Sequence, residues 1–135
     1  MERSPALQAP AVSGPVRRGR RTKLLVKKLH PGEIAVIDHR NLDRVSAEDL
    51  IAARVAAVLN CRPSAADEYP NMGPLLLVQA GIPLVDLPDD GIFAALKDGD
   101  PVELHGGDVL AGGQLVARGA LQDPALAFER TRTQD

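Results

Sequence analysis

VAAVLNCRPSAADEYPNMGPLLLVQAGIPLVD, residues 55–86, is the stretch that decides the fold. The apolar run 55–59 reads as a strand and enters a polar, proline-punctuated loop with no aliphatic residue larger than Ala before Met72. The loop closes at Gly73-Pro74, the run 75–78 supplies the apolar face of a helix, and a second strand starts at Ile82. Proline is tolerated in a first helical turn, and Gly81 suits the position just past a helix end. Strand, loop, helix, strand is the βαβ unit of a parallel sheet. In open α/β sheets the loops leaving the C-terminal ends of strands are where ligands bind. Recognition is therefore expected first at residues 60–71. The candidate ligand- or partner-binding residues are Asn60, Ser64, Asp67, Tyr69, Asn71 and Gly73.

Working toward the N-terminus, Ile34-Ala35-Val36-Ile37 reads as a buried strand followed by a polar turn over 38–43. Ser46-Ala47-Glu48-Asp49 resembles a capping box for a helix running through Arg54, with Leu50 and Ile51 facing inward. Toward the C-terminus, Pro83 favours an edge or the beginning of its strand, and 92–96 is a short helix stopped by Lys97-Asp98-Gly99. The runs 102–104, 109–110 and 115–117 are short β segments separated by His105-Gly106-Gly107-Asp108 and Ala111-Gly112-Gly113-Gln114. These are hairpin signals. The expected fold is α/β, with βαβαβα followed by a small Gly-rich β-meander. Residues 1–19, with three prolines and no periodicity, read as a disordered tail. Residues 20–121 form the domain, and 122–135 read as a linker or the start of a truncated helix.

The composition fits one domain: 135 residues, 44% of them hydrophobic. With two Phe, one Tyr and no Trp, the core must be aliphatic, and aromatic stacking on single-stranded nucleic acid is disfavoured. Cys61 is the only cysteine, which rules out an internal disulfide and fits a reducing compartment. No apolar run approaches the roughly 20 residues of a membrane span, and the N-terminus has no secretory h-region. A cytoplasmic chain without a transmembrane segment is expected. Charge is divided: residues 1–30 carry eight Lys or Arg against one Glu, and residues 31–135 carry eight against seventeen acids. Arg17, Arg18, Arg20, Arg21, Lys23, Lys27 and Lys28 thus read as a basic contact arm. Such an arm suits a phosphate-rich surface, an acidic partner or the domain itself. The acidic body argues against specific nucleic-acid recognition.

The sequence holds no Gly-rich phosphate loop, no nucleophile beside a base and no metal-ligand spacing, so no catalytic residue, metal or cofactor is assigned. His39, beside Asp38 and four residues before Asp43, invites an acid–base reading, but Asp-His-Arg-Asn is also good turn chemistry. Asp67 and Glu68 are adjacent and point apart on most backbones. Asp86, Asp89 and Asp90 share the sheet edge of the long loop and offer oxygens to a cation, although Pro-Asp-Asp-Gly is first a turn.

Four segments together resemble one family. They are PGEIAVIDHRNLDRVSAEDLIAARVAAVLN (31–60), Pro63-Ser64, YPNMGPLLLVQAGIPLVD (69–86) and LKDGDPVELHGGDVLAGGQLVARG (96–119). In order and spacing they look like the N-terminal region of SteA, an actinobacterial cytokinetic family whose later region is similar to thiamin pyrophosphokinase. The resemblance implies a non-catalytic regulatory module acting at the division septum, at the inner face of the membrane, with a SteB-like membrane protein in the control of cell-wall hydrolysis. A homodimer is compatible with it. Where that family has Ser-Gly-Arg before YPN, this chain has Ala66-Asp67-Glu68, which disfavours an anionic ligand at this loop. The order of elements also looks like the swivelling phosphohistidine domain of phosphoenolpyruvate-utilising enzymes. The place of its histidine is held here by Asn71-Met72-Gly73-Pro74. The alternative reading is a domain that binds a nucleotide or phosphorylated metabolite, or an enzyme domain related to thiamin pyrophosphokinase, with His39 or Asp86 as acid–base group.

Overall fold

The structure, a computed structural model, describes residues 11–65 and 71–122. Among the described residues there are eight strands and four helices. The first half runs β1 (Val12–Arg18), α1 (Thr22–Leu25), β2 (Ile34–Ile37), α2 (Arg44–Ala52) and β3 (Ala57–Asn60). It continues through α3 (Met72–Gln79), β4 (Leu84–Asp86) and α4 (Ile92–Ala95) to β5 (Pro101–His105), β6 (Asp108–Ala111), β7 (Gln114–Arg118) and β8 (Ala120–Gln122). The fold is α/β.

The strands form one sheet in the order β7-β6-β5-β1-β2-β3-β4-β8. Strands β1 to β4 are mutually parallel, while β5–β7 and β8 flank them in antiparallel fashion. The outermost strands β7 and β8 are joined by Gly119 alone, so the sheet must curl until its two edges meet. A Cβ on Gly119 would lie 2.6 Å from both the Asp86 carbonyl oxygen and Val85 Cγ1, and its N–H bonds the Gly107 carbonyl at 2.8 Å. Only glycine lets the chain cross that closely over β4.

Curling creates two cores. The concave face encloses Val16, Ile34, Val36, Leu59, Val85, Val102 and Val109, closed at one end by Ile92 and Leu96. The convex face packs Ala35, Ile37, Val58 and Leu84 beneath Leu25, Leu50 and Leu77 of α1, α2 and α3. Burial on both faces is why β2 and β3 are apolar without interruption up to Asn60. The all-aliphatic composition is sufficient for both layers.

Several local expectations shift. Residues 12–18 are not tail: β1 lies inside the sheet between β5 and β2. Only Val16 along it is buried, and the strand changes partners midway, pairing with β5 over 12–15 and with β2 over 16–18. Pro15 sits at that change of partner, where a missing N–H is tolerated. The start of α2 is capped by Asp43, whose carboxylate accepts from the Ser46 N–H at 3.1 Å, rather than by Ser46. Arg54 takes a left-handed conformation (φ 59°) to turn the end of α2 toward β3. Gly81, also left-handed, follows the end of α3 as expected. Pro83 stands at the beginning of its strand, one of the two places expected for it, and β4 is interior to the sheet rather than an edge.

The basic stretch is likewise part of the fold. Arg17 Nε donates to both oxygens of Glu33 at 3.0 and 2.9 Å, and Glu33 Oε1 also accepts from the His30 N–H at 2.6 Å. Arg18 donates through its N–H and Nε to Asp98, and through Nη1 to the Phe93 carbonyl. These bonds hold the Asp98 carboxyl below its ordinary pKa, the backbone N–H of Arg18 contributing most. Arg17 and Arg18 therefore fasten β1 to its own domain and do not extend from it.

Candidate functional site

The C-terminal ends of the four parallel strands converge on one edge. There β1 leads into Gly19, Arg20 and Arg21, β2 into Asp38 and His39, β3 into Cys61 and Arg62, and β4 into Leu87 and Pro88.

The loop after β3 is built round Asn60, which is fully buried. Its Oδ1 accepts from the backbone N–H groups of His39 (3.0 Å) and Arg62 (3.2 Å). Its Nδ2 donates to the His39 carbonyl (2.9 Å) and Ser64 Oγ (2.8 Å). The Ser64 hydroxyl donates to Asp86 Oδ1 at 2.6 Å, and its N–H to Oδ2 at 3.0 Å. Asn71 donates to the Ser64 carbonyl and accepts from the Gly73 N–H as the cap of α3. The structure thus brings Asn60, Ser64, Asn71 and Gly73 together and adds Asp86. These side chains bond one another and the His39 and Arg62 backbone, and so fold the loop on itself. Asp67 and Tyr69 lie outside the described residues.

Next to this network is a ring of charges. Asp38 receives Arg20 Nη1 at 2.8 Å and Arg62 Nε at 2.9 Å, and Arg20 Nη1 also reaches Asp90 at 3.1 Å. The Arg20 guanidinium stacks 4.3 Å from the Phe93 ring centroid. These contacts place Arg20, one of the expected arm residues, at the sheet edge. Asp90 meets a guanidinium there, and among the described residues no group of three or more metal-ligating side chains is assembled.

The His39 ring lies between α1 and the start of α2. Its Nδ1 lies 2.8 Å from Thr22 Oγ1 and its Nε2 lies 3.1 Å from Asp43 Oδ1. The geometry is that of a hydroxyl–imidazole–carboxylate relay, but Thr22 is buried, so its hydroxyl is closed to a substrate. In the neutral imidazole Nε2–H donates to Asp43 and Nδ1 accepts from Thr22. Both ring nitrogens of His39 are thus engaged, and Asp86, the other candidate acid–base group, is bonded to Ser64. Burial opposes the charged form of Asp43, but the Ser46 hydroxyl and N–H, its own N–H and His39 outweigh it and lower its pKa.

Cys61 is buried, and burial, followed by the nearby Asp38 and Asp90 carboxylates, pushes its thiol up to about 12. Thiolate is the reactive form. Ellman's reagent at neutral pH should therefore label Cys61 in the folded chain on the order of a hundredfold more slowly than in urea. Equal rates in the two states would show that the thiol is neither buried nor raised.

An open groove of about 480 Å³ runs along the ends of β1 and β2, lined by Arg20, Arg21, Lys23, Asp38, His39 and Arg40 among others. A concavity of similar size, about 490 Å³, lies between β1 and the β5–β6 hairpin, with Glu103 as its only ionisable lining residue. Ligand sites pair a hollow with convergent polar groups, and only the first does so. Sequence reasoning centred recognition on the loop after β3, whereas the open groove lies along the ends of β1 and β2. The missed partners of Arg20 are Asp38 and Asp90, which the βαβ rule would have gathered had β1 been read as a strand.

No protein-family model and no curated protein matches the chain. Among solved structures the fold is similar to that of 3-isopropylmalate dehydratase (leuD) from Methanocaldococcus jannaschii. The TM-score is 0.57 at 10% identity, over 92% of this chain and 96% of that one. The two share an α/β fold. At that identity the likeness carries the architecture and none of the chemistry. Among the described residues no helix is long and apolar enough to cross a membrane.

Proposed function

We propose that this domain is a non-catalytic recognition module, the N-terminal regulatory domain of a SteA-like protein, acting in cell division through a membrane protein partner at the septum. The observation that carries the non-catalytic part is the hydrogen-bond network of Asn60, Ser64 and Asp86. The polar groups best placed to meet a substrate at the end of β3 are hydrogen-bonded to one another. The two candidate reactive groups are similarly occupied: the His39 ring lies between Thr22 and Asp43, and the Cys61 thiol is raised and buried. The septal part rests on the resemblance, which covers roughly residues 20–121. The contact surface most suited to a partner is the exposed face around α1, where Leu24 is 51% exposed and Lys27 and Lys28 are exposed beside it.

The test is co-purification of the SteB-like membrane protein, in detergent, with the wild-type chain and with a Leu24→Asp, Lys27→Glu, Lys28→Glu variant. The wild type should retain the partner, and the variant should lose at least about tenfold of it, since reversing charges at a complementary rim costs more than 1.4 kcal/mol. Circular dichroism should find both folded. Equal capture would remove α1 from the interaction, and no capture by the wild type would remove the septal reading.

A further inference from the structure

We propose that the face formed by α1 and α2 associates with the same face of a second copy of this chain, about a two-fold axis. The inference does not depend on the septal reading, although a second copy and a membrane protein would exclude one another on α1.

One sequence pattern occurs twice on this face with opposite sign. Leu24 is followed at the third and fourth positions by Lys27 and Lys28, and Val45 at the same positions by Glu48 and Asp49. On helical backbone such positions form one patch. The chain continues past α1 as a helical turn in which the Lys28 N–H bonds the Leu25 carbonyl at 2.8 Å, so the spacing holds there as well. All six side chains are exposed, Leu24 at 51% and Val45 at 64%. Leu25 and Leu50 enter the core instead, so both patches point away from the sheet.

The fold sets the two patches side by side. Strands β1 and β2 are parallel, and α1 and α2 each follow one of them and bury a leucine in the same layer. The two helices therefore run in the same direction across the convex face. The His39 ring ties Thr22, at the start of α1, to Asp43, at the start of α2, which keeps the patches level.

A two-fold axis between the helices and parallel to them lays α1 of each copy on α2 of the other with the direction preserved. Leu24 then meets Val45, while Lys27 and Lys28 lie along Glu48 and Asp49. Both contacts occur twice in one interface. An occupant that suits this face must carry acids opposite α1 and cations opposite α2, each beside an apolar anchor, and a second copy does so by symmetry. The arrangement has apolar residues at the centre and charges at the rim, as interfaces do. Glu48 is only loosely held by Arg44, at 3.5 Å in an exposed pair, and can turn to the facing lysines. A patch this small gives a weak, reversible dimer that closes at two chains.

Sedimentation equilibrium of the full 135-residue chain alone, at concentrations up to roughly 1 mM, tests the proposal. The apparent mass should climb from one chain toward two and no further. A Lys27→Glu, Lys28→Glu variant and a Glu48→Lys, Asp49→Lys variant should each dimerise at least about tenfold more weakly, because like charges then face one another. Mixed in equal amounts, the two should recover the wild-type association, since every facing pair is again of opposite sign. A Leu24→Ser, Val45→Ser variant leaves the charges in place and should also weaken the dimer by about tenfold. All the substituted positions are exposed, and circular dichroism should find each variant folded. A wild type that stays monomeric would overturn the proposal, and capture of the membrane protein by that monomer would give α1 to the other partner. Variants that dimerise like the wild type, a mixture that stays apart, or a mass that rises past two chains would overturn it equally.

Discussion

Replacing Asn60 by alanine is expected to lower the stability of the domain by about 3–4 kcal/mol, although the side chain touches no solvent and carries no charge. The truncation strips the acceptor from the N–H groups of His39 and Arg62, and the donor from the His39 carbonyl and Ser64 Oγ. A buried group left without a partner costs roughly 1–3 kcal/mol, and partial rescue by water keeps the total below the sum of four such losses. For a domain of this size the melting temperature should fall by roughly 12–25 °C, read by circular dichroism, with urea denaturation as the second measure. Ser64→Ala should cost less, about 1–2 kcal/mol, because Asp86 keeps the Ser64 N–H. The experiment also separates two roles for the loop. A recognition residue can be removed with little change in stability, whereas a structural one cannot. A loss under about 1 kcal/mol would show that the loop is held by something other than this network.

That separation shows where the sequence is legible. Asn60, Ser64, Asn71 and Gly73 are identifiable as a group because a long polar loop after a strand is conspicuous. Their bonding to one another is not, because Asp86 completes the network from 22 residues beyond Ser64 and becomes a neighbour only when β4 pairs with β3. The same reason hides the charge ring: Arg20 and Asp90 are 70 residues apart and meet only once β1 takes its place in the sheet. Local chemistry reads well. The glycine pairs at 106–107 and 112–113 announce the meander, and Gly81 announces the end of α3. β1 reads poorly because a single buried residue and a Gly-Pro pair leave almost no periodicity. Its stability comes from strands on both sides, one of them contributed by residues 101–105. The basic residues misled for a related reason. A run of cations looks like an arm until the acids that neutralise Arg17, Arg18 and Arg20 are brought up by the fold.

Gly73→Ala should destabilise by about 3 kcal/mol or more, against the sign that helix propensity gives. Gly73 occupies the first turn of α3, where alanine is intrinsically favoured over glycine by about 1 kcal/mol. It is not a left-handed position, so backbone freedom is not what requires glycine there. The requirement is space. A Cβ at residue 73 would overlap the carbonyl group of Leu42 and come within 2.8 Å of the Asp43 carbonyl oxygen. Both obstacles are backbone, so no rotamer change relieves them, and α3 would have to withdraw from the loop that starts α2. Overpacking of a rigid site typically costs 1–3 kcal/mol and occasionally more, and here it would also loosen the Asn71 cap and its bond to Ser64. Differential scanning calorimetry of the variant decides between the two effects. A melting temperature equal to or above wild type would mean that α3 stands off the β2–α2 loop and propensity prevails. A fall of roughly 12 °C or more would establish that the close approach of α3 to that loop is what positions the whole strand-end edge, network and groove together.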